Sequence, residues 1–365
     1  MRVLHVIARM NVGGTATYIA NLIHGLEKLG VGNLLVMGNV PKGEVEDSVI
    51  STLKYQRIEP LSRELSFSQD RKARKEVERV IESFKPDLIH THTFKAGFLV
   101  RIRRRDIPVI HSFHGHHLYD PEFGFIKRNI LNMFERLLAP RATRFITIGK
   151  KVRDELLEVG IGKAKQYLSI APGIAALELV GEASVRSRFG FSQDETLVLW
   201  LGRFTQVKRP DKVIEIARLL PKIRFVMAGG GELLDKVKAS APGNVSFVGF
   251  QDKNEMWSIA DIALSTSDSE GMPLSLIEAQ MAGVPVVSTD VGSVSEILED
   301  GITGYLAGKD VKELAGKIEM DIQDLESGAK LGRAAKLRAE REFSSSVMAD
   351  AHLGLYKDVL DKVAR

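Results

Sequence analysis

The sequence contains no cysteine among its 365 residues, which excludes disulfide bonds, thiolate zinc sites and thiol nucleophiles. It also lacks any apolar run close to the roughly 20 residues that a membrane-spanning helix requires. The apolar stretch at its start is too short for a signal-peptide core, so we expect the first buried strand there and a cytoplasmic protein. The 51 basic residues nearly balance the 47 acidic ones, so charge alone indicates no partner.

What remains is a globular composition, 44% hydrophobic and 27% charged, in a chain long enough for two domains. Short β-branched runs alternate with amphipathic stretches, which predicts parallel sheets wrapped by helices. Predicted strands cover 3–8, 34–37, 88–92, 109–114, 145–148, 197–201, 224–228, 245–248, 262–265 and 285–288. Predicted helices cover 15–29, 70–84, 127–138, 151–159, 210–220, 233–239, 254–260 and 273–282.

The pattern is interrupted once, near Pro172 and Gly173, where periodicity stops and then begins again. The sequence therefore predicts an α/β protein with two Rossmann-like, doubly wound domains, at 1–172 and 177–345. We expect residues 346–365 to form a helix that returns to the first domain. Because ligands of open α/β sheets bind beyond the carboxyl ends of the strands, we expect the chemistry in the strand-to-helix loops, facing each other across a cleft.

Two motifs stand out in the first domain. Gly13 and Gly14 follow the first strand and open a helix, so bare amides and the helix amino end could meet a phosphate; a purely structural turn is the alternative. Four histidines lie within residues 111–117. Because no acidic or cysteine ligand stands at a recognised spacing, a zinc site is disfavoured. We expect His114 to hydrogen-bond a polar ligand, while His111, His116 and His117 could be satisfied locally.

The second domain has two glycine-bearing loops of interest. One presents Arg203 and Lys208 before a helix that starts near Pro210. Such cations suit a diphosphate and could stabilise the charge of a departing pyrophosphate, although a solvated basic loop is the alternative. The other is the glycine turn 229–231, where Gly230 would let a nucleotide approach the backbone.

The strongest motif spans 267–287 and reads as strand end, glycine turn, helix with proline at its first position, and buried strand. Its helix amino end would project backbone amides from the stretch of Gly271, Met272, Pro273 and Leu274, in which only the proline lacks an N–H group. Glu270 and Glu278 could suggest a glycosidase pair. A continuous helix would separate them by about 12 Å, more than the roughly 5 to 9.5 Å that flanks one glycosidic bond. We therefore expect the two carboxylates to contact different parts of one long ligand.

Taken together, these residues resemble the retaining GT-B glycosyltransferases of glycosyltransferase family 4, group 1 type, over nearly the whole chain. The resemblance implies that Arg203 and Lys208 bind the diphosphate of a sugar nucleotide. It assigns Glu270 and the amides after it to the donor sugar, and Glu278 to the ribose.

For the first domain, the resemblance places His114 near the anomeric carbon and Gly13 and Gly14 over the phosphates. It also implies a UDP-sugar donor, a saccharide, lipid-linked or small-molecule acceptor, a role in polysaccharide biosynthesis, and no metal or other cofactor. The sequence departs from the family pattern at two places. One is the junction at 171–175, and the other is Arg209-Pro210, where the family often has Lys-Gly.

Two alternatives stay open: a GT-B sugar-nucleotide epimerase, and a sugar-nucleotide-binding protein without transfer activity. Six basic residues could also attract the first domain to an anionic membrane at the inner face; they are Arg101, Arg103, Arg104, Arg105, Lys127 and Arg128. A solvated charged face is the alternative. No nucleic-acid-binding motif is present.

Overall fold

The computed structural model describes residues 1–115 and 124–363. The chain divides into two compact units, one formed by Met1–Ala175 with Ser344–Arg365 and the other by Ala176–Phe343. These limits lie within a few residues of the predicted 1–172, 177–345 and 346–365. His116 and His117, two of the histidines considered above, fall outside the described residues.

The first unit is built on a seven-stranded parallel sheet with the order β3-β2-β1-β4-β5-β6-β7. Its strands are β1 Arg2–Ile7, β2 Gly32–Met37, β3 Tyr55–Arg57, β4 Leu88–His92, β5 Val109–Phe113, β6 Arg144–Thr147 and β7 Tyr167–Ser169. Its helices are α1 Gly14–Lys28, α2 Phe67–Phe84, α3 Thr93–Arg101, α4 Phe125–Leu138, α5 Lys150–Glu158 and α14 Ser345–Val363, the last numbered by its place in the chain.

The second unit is built on a six-stranded sheet with the order β10-β9-β8-β11-β12-β13, also parallel. Its strands are β8 Leu197–Leu201, β9 Arg224–Ala228, β10 Val245–Gly249, β11 Ile262–Ser265, β12 Val286–Thr289 and β13 Tyr305–Ala307. Its helices are α6 Glu182–Phe189, α7 Pro210–Leu219, α8 Leu234–Ala239, α9 Lys253–Ile259, α10 Leu274–Ala282, α11 Val294–Ile297, α12 Val311–Gln323 and α13 Leu325–Glu342.

Apolar side chains fill both faces of the second sheet, as buried parallel strands require. In the second unit one core cluster includes Val198, Trp200 and Phe225, and another, on the opposite face, includes Leu199 and Val226. Alternation along β8 and β9 therefore supplies both cores. The prediction of two Rossmann-like, doubly wound domains is confirmed.

The returning helix α14 packs against α1 in the first unit. Its buried His352 lies 2.9 Å through Nε2 from the hydroxyl of Tyr18, and its Tyr356 hydroxyl lies 2.7 Å from Nδ1 of His90. The last helix is thus part of the first unit's interior. Across the residues that the structure describes, no helix is both long enough and apolar enough to span a membrane.

One predicted surface residue lies in the interior. Arg101, placed in the basic surface set above, is fully buried, and its guanidinium bonds both oxygens of the buried Glu135 at 3.0 and 2.8 Å. It is the last residue of α3, which the sequence analysis did not predict. Arg105 is bound to both carboxylate oxygens of Glu78. The charge run is therefore divided, because only Arg103 and Arg104 of these four arginines are exposed.

Candidate functional site

The strand order of the second unit reverses between β8 and β11, since β9 and β10 extend from one side and β12 and β13 from the other. At such a switch point the loops beyond the strand ends separate and leave a crevice. The loop after β8 carries Arg203 and Lys208, and the loop after β11 carries Glu270. Arg203, Lys208 and Glu270 thus lie on the two loops that border the switch point.

Lys208 and Glu270 are in direct contact. The Nζ atom of Lys208 lies 2.5 Å from Oε1 of Glu270, which also accepts a hydrogen bond from the Ser267 hydroxyl at 2.5 Å. The Glu270 side chain is 9% exposed and the Lys208 side chain 25%. The pair is therefore mostly shielded, but the ammonium group retains access to solvent and to a ligand.

Backbone contacts fix this pair in place. The Thr266 hydroxyl lies 3.0 Å from the carbonyl of Lys208, and Thr289 donates to the carbonyl of Ser267 at 2.7 Å. Gly292 has a φ of +57°, and a Cβ atom there would approach the Glu270 carbonyl oxygen to 1.7 Å. Only glycine allows the loop after β12 to pass so close. The loops after β8, β11 and β12 are therefore packed together around Glu270.

Arg203 and Arg209 differ in their surroundings. Arg203 is exposed, and no ion pair involves it within the described part of the chain. Arg209 has a φ of +50°, pairs with Asp211 at 2.7 Å and lies 2.9 Å from Asp268. The residue that departs from the family pattern is therefore held by carboxylates of its own unit, whereas the Arg203 side chain is exposed.

The predicted helix start is off by one residue. Helix α10 begins at Leu274, and Pro273 is its N-cap with φ −72° and ψ 120°. The segment 270–273 is therefore not helical, and the 12 Å rise assumed between Glu270 and Glu278 is wrong. Gly271 is half-buried, and its carbonyl accepts a hydrogen bond from Ser293 at 2.9 Å, while Met272 and Leu274 are buried.

Glu278 nevertheless has partners of its own. It is buried on α10, with Oε1 2.6 Å from Nζ of Lys253 and Oε2 3.4 Å from Nε1 of Trp257. Glu278 is therefore not a solvent-facing helix residue. Glu270 and Glu278 bind different cations, Lys208 and Lys253, so the two carboxylates have separate surroundings.

The glycine turn after β9 is packed against its neighbours. A Cβ atom on Gly230 would come within 2.8 Å of the Phe250 ring, and the Gly230 carbonyl accepts a hydrogen bond from Phe204 at 2.9 Å. Gly229 has a φ of +127°, and a Cβ there would meet the Gly202 carbonyl oxygen at 2.0 Å. These glycines therefore join the β9 loop to the β8 loop.

In the first unit, Gly13 is exposed with a φ of +150° and forms the N-cap of α1, which starts at Gly14. The strand order of this unit reverses between β1 and β4, so this turn also lies at a switch point. His114 follows β5 and precedes Gly115, whose φ is +113°. Its ring packs edge-on against Tyr18 with centroids 4.5 Å apart.

Sequence reasoning missed a group of buried histidines beside His114. Nε2 of His114 lies 3.0 Å from Nδ1 of His92, and Nε2 of His92 lies 3.2 Å from Nδ1 of His5. Burial lowers the pKa of His114 to about 3 and that of His5 to about 4, so both are neutral at pH 7. A signal was present in the sequence, because His90 and His92 alternate at the end of β4.

Three of these side chains, His5, His90 and His92, are close enough together to bind a metal ion. However, each of their six ring nitrogens already has a hydrogen-bond partner. The contacts of His90 are Tyr356 at 2.7 Å and Ser112 at 2.6 Å, while those of His5 and His92 are Asn33, His114 and each other. This favours a hydrogen-bonded network over a metal centre.

Comparison with known proteins agrees with this architecture. The family model "Glycosyltransferase Family 4" matches residues 12–168, and "Glycosyl transferases group 1" matches 182–338. EpsD of Bacillus subtilis, whose name marks it as a candidate glycosyltransferase, is 27% identical over 79% of this chain and 80% of its own. D-inositol 3-phosphate glycosyltransferase of Mycobacteroides abscessus is 28% identical over 74% of this chain and 65% of its own.

Solved structures show the same fold. Sucrose-phosphate synthase from Thermosynechococcus elongatus superposes with a TM-score of 0.86 at 21% identity, covering 99% of this chain and all of that one. HepE of Anabaena, solved with UDP-glucose, superposes with a TM-score of 0.83 at 18% identity, covering 98% of this chain and all of that one. The chain belongs to the group 1 glycosyltransferases of glycosyltransferase family 4, and it is a glycosyltransferase with the GT-B fold.

Proposed function

We propose that the protein transfers a sugar from a UDP-sugar, with retention of anomeric configuration, to a saccharide, lipid-linked or small-molecule acceptor in glycan or polysaccharide biosynthesis. The observation that carries the proposal is the contact between Lys208 and Glu270 at the switch point of the second unit. An ammonium group and a carboxylate side by side offer a diphosphate a cation and a sugar hydroxyl an acceptor.

The diphosphate would bind Arg203 and Lys208. Arg203 is exposed and can grip two phosphate oxygens, whereas Lys208 adds a point charge on a flexible stem. As the bond to the anomeric carbon breaks, negative charge accumulates on the leaving diphosphate, and fixed cations lower the energy of that state. Because these side chains supply the positive charge, the scheme requires no metal cofactor.

The sugar would bind at Glu270 and at the backbone of Gly271, Met272, Pro273 and Leu274, which lead into α10. Glu270 accepts from Ser267 and Lys208, and a carboxylate has further lone pairs for a sugar hydroxyl. Glu278 would accept the ribose hydroxyls, with Gly230 near the base. In the first unit, His114 would contact the reacting sugar, and Gly13 and Gly14 the phosphates.

Retention would proceed without an enzymatic nucleophile, the leaving phosphate taking the acceptor proton on the same face. The protein's task is then positioning and charge stabilisation. The UDP assignment draws on HepE, which was solved with UDP and with UDP-glucose. An epimerase would release the nucleotide without forming a glycoside, and a binding protein would not turn the donor over.

A thermal-shift screen of UDP, GDP and their sugars, followed by measurement of nucleotide release, tests this function. We expect stabilisation by UDP and by at least one UDP-sugar, and UDP release only when a saccharide or lipid-linked acceptor is added. Lys208→Ala should abolish most of the shift, whereas Arg188→Ala, which removes a surface pair with Glu255, should leave it unchanged. Stabilisation by GDP alone, or release of nucleotide with no acceptor product, would overturn the assignment.

We also propose that the first unit contacts an anionic membrane through α4. Four exposed apolar residues recur at helical spacing along it: Ile126 (76% exposed), Ile130 (43%), Met133 (47%) and Leu137 (64%). Helix α3, which leads to the exposed Arg103 and Arg104, packs against α4. An apolar stripe with nearby cations is typical of helices that lie in a membrane interface.

Co-sedimentation with phosphatidylglycerol vesicles at low salt tests this contact. We expect binding that Ile126→Ser with Ile130→Ser reduces severalfold. Leu337→Ser in the second unit, where the side chain is 68% exposed, is the matched control and should have no effect. Equal binding by all three proteins, or none by the wild type, would contradict the proposal.

A further inference from the structure

A row of polar side chains crosses one face of the first sheet. In the register of the parallel strands, Ile7 on β1 lies beside His92 on β4, and His92 lies beside Ser112 on β5. Because side chains alternate along a strand, His5, His92 and His114 point to the same side of the sheet. Hydrogen bonds join His114 to His92, His92 to His5, and His5 to Asn33 of β2.

Asn33 fixes the direction of the first hydrogen bond. Its amide nitrogen donates to the carbonyl of Val31 at 3.0 Å, and because a carbonyl can only accept, the amide cannot be turned the other way. The amide oxygen therefore faces Nε2 of His5 at 3.2 Å. His5 must carry its proton on Nε2 to make this bond.

The direction of the first hydrogen bond sets the direction of the next ones, because each neutral imidazole ring carries a single N–H proton. Burial lowers the pKa of His5 to about 4 and holds that of His92 well below its usual range. With its proton on Nε2, His5 presents the bare Nδ1 to Nε2 of His92 at 3.2 Å, so His92 donates there. The bare Nδ1 of His92 then accepts from Nε2 of His114 at 3.0 Å.

We propose that Asn33, His5 and His92 are positioning residues that hold His114 as the Nε2–H tautomer, so that its Nδ1 can only accept a hydrogen bond. Among the described residues no group bonds Nδ1 of His114. This last step rests on the proposed function. His114 would select a ligand group that donates a hydrogen bond, such as a sugar hydroxyl, and disfavour a group that can only accept one.

The second contact of His114 supports the same orientation. Its ring packs on Tyr18, and the Tyr18 hydroxyl lies 2.9 Å from Nε2 of His352. Nδ1 of His352 lies 2.7 Å from the carbonyl of Met348 and must donate there, so its Nε2 is bare and Tyr18 is the donor. Helix α14 therefore fixes Tyr18, and Tyr18 fixes the plane of the His114 ring.

Long-range proton–nitrogen spectra of protein labelled with ¹⁵N-histidine at pH 7.5 test the tautomer directly and need no activity. His114→Gln identifies the His114 signals by their loss. We expect one bare and one protonated nitrogen in His114, with the proton on Nε2. A proton on Nδ1, an even mixture of both forms, or stoichiometric zinc in the purified protein would overturn the proposal.

Two buried substitutions separate positioning from simple packing. Asn33→Leu removes the acceptor at the start of the chain, three hydrogen bonds from His114, and should produce a mixture of tautomers. Thr91→Val removes a buried hydrogen bond to Nδ1 of His111 at 2.9 Å on the opposite face of the sheet and should leave the tautomer unchanged. A folded Asn33→Leu protein with the wild-type spectrum would contradict the proposed chain of hydrogen bonds. If the variant does not fold, the tautomer of His114 in the wild-type spectrum tests the proposal.

Addition of UDP-glucose, with UDP as the reference, tests the ligand step. If a sugar hydroxyl donates to His114, the Nδ1 resonance should shift with UDP-glucose and not with UDP, and turnover of Asn33→Leu should fall with its Nε2–H population. A proton appearing on Nδ1 would contradict the acceptor role. The predicted tautomer with no sugar-dependent shift would overturn the ligand step and count against the proposed function, while the positioning chain would stand.

Discussion

Lys208 Nζ and Glu270 Oε1 lie 2.5 Å apart, although 61 residues separate them in sequence. They are brought together because β8 and β11 are neighbours in the sheet and their loops leave from the same edge. Each side chain limits the freedom of the other, so the ammonium group and the carboxylate are oriented before any ligand binds. Pre-orientation of this kind lowers the cost of binding and of reaction.

Removing either partner should reduce turnover more than stability. We expect Lys208→Ala and Glu270→Ala each to lower kcat by about 10² to 10³, the usual effect of losing a charge-stabilising contact. The double variant should be far less than multiplicative, because the two side chains act as one unit. Steady-state kinetics with a UDP-sugar measures this, with unfolding curves as the control. Near-normal rates for either single variant would disprove the assignment.

Glu278 should affect donor binding more than the chemical step. In Glu278→Gln we expect the Kd for UDP to rise about tenfold while kcat at saturation changes little, since a ribose contact is the same in ground and transition states. Lys253→Ala is the comparison, because it frees Oε1 of Glu278 without removing the carboxylate. Calorimetric titration with UDP measures the Kd of both variants. Unchanged affinity in Glu278→Gln would remove Glu278 from the donor site.

Arg101 should act on stability and not on membrane contact. Arg101→Ala leaves the buried Glu135 without its bidentate partner, and we expect a loss of about 3 to 5 kcal/mol of unfolding free energy. Arg103→Ala and Arg104→Ala change exposed residues and should alter stability by less than about 0.5 kcal/mol. Urea unfolding measures all three. Equal effects of the three substitutions would contradict the buried pair.

The first unit should be sensitive to mild acid. All nine histidines of the sequence belong to it, and burial lowers the pKa of six: His5, His90, His92, His111, His114 and His352. Since the unfolded chain takes up protons below about pH 6.5 and the folded one does not, stability is complete above that pH and falls toward pH 4. Each histidine removes up to about 1.4 kcal/mol per pH unit.

The two units can be followed separately, because both tryptophans, Trp200 and Trp257, lie in the second unit. Unfolding of the first unit should appear in far-ultraviolet circular dichroism near pH 5, where six histidines together oppose a domain stability of about 5 to 15 kcal/mol. Tryptophan fluorescence should change little at that pH. Coincident transitions in the two signals would contradict this prediction.

Asp321 in the second unit should have the opposite pH dependence. Burial raises its pKa to about 6, and its Oδ1 has no hydrogen-bond partner among the described residues. Above pH 6 the folded unit therefore carries an unfavourable charge, which disappears below pH 4. Asp321→Asn should stabilise the unit at pH 8 by about 1 to 2 kcal/mol, less than removal of the charge alone would give because the buried amide still places a polar atom where no partner lies. Fluorescence-detected unfolding at pH 8 and pH 4 measures this.

The sequence predicts the fold well where strands are long and buried, as at β4, β8, β9 and β11, whose predicted and observed limits coincide. It misses the three-residue strands β3, β7 and β13, which are too short to show a period. It also misses α3, whose sequence lacks a clear apolar face because Lys95 and Arg101 are both buried in ion pairs. Pairing across the fold satisfies charges that local patterns assign to the surface.

For the candidate site, the sequence identifies Arg203, Lys208 and Glu270 because they lie in recognisable strand-to-helix loops, and Glu278 because it stands in the helix that follows Glu270. It does not predict that Lys208 contacts Glu270, or that Lys253 meets Glu278, since these contacts depend on the strand order. The histidine chain from His5 to His114 is missed for the same reason. Its members come from three neighbouring strands, and along the sequence only the alternation of His90 and His92 at the end of β4 points to it.

The anomeric configuration of the product tests the central claim most directly. The protein should be incubated with the UDP-sugar and acceptor that emerge from the screen, and the glycoside analysed by NMR, with Lys208→Ala run in parallel. We predict UDP release coupled to a product with the same anomeric configuration as the donor, and a large loss of both in the variant. An inverted product, or equal product from Lys208→Ala, would contradict a retaining transferase built around Lys208 and Glu270.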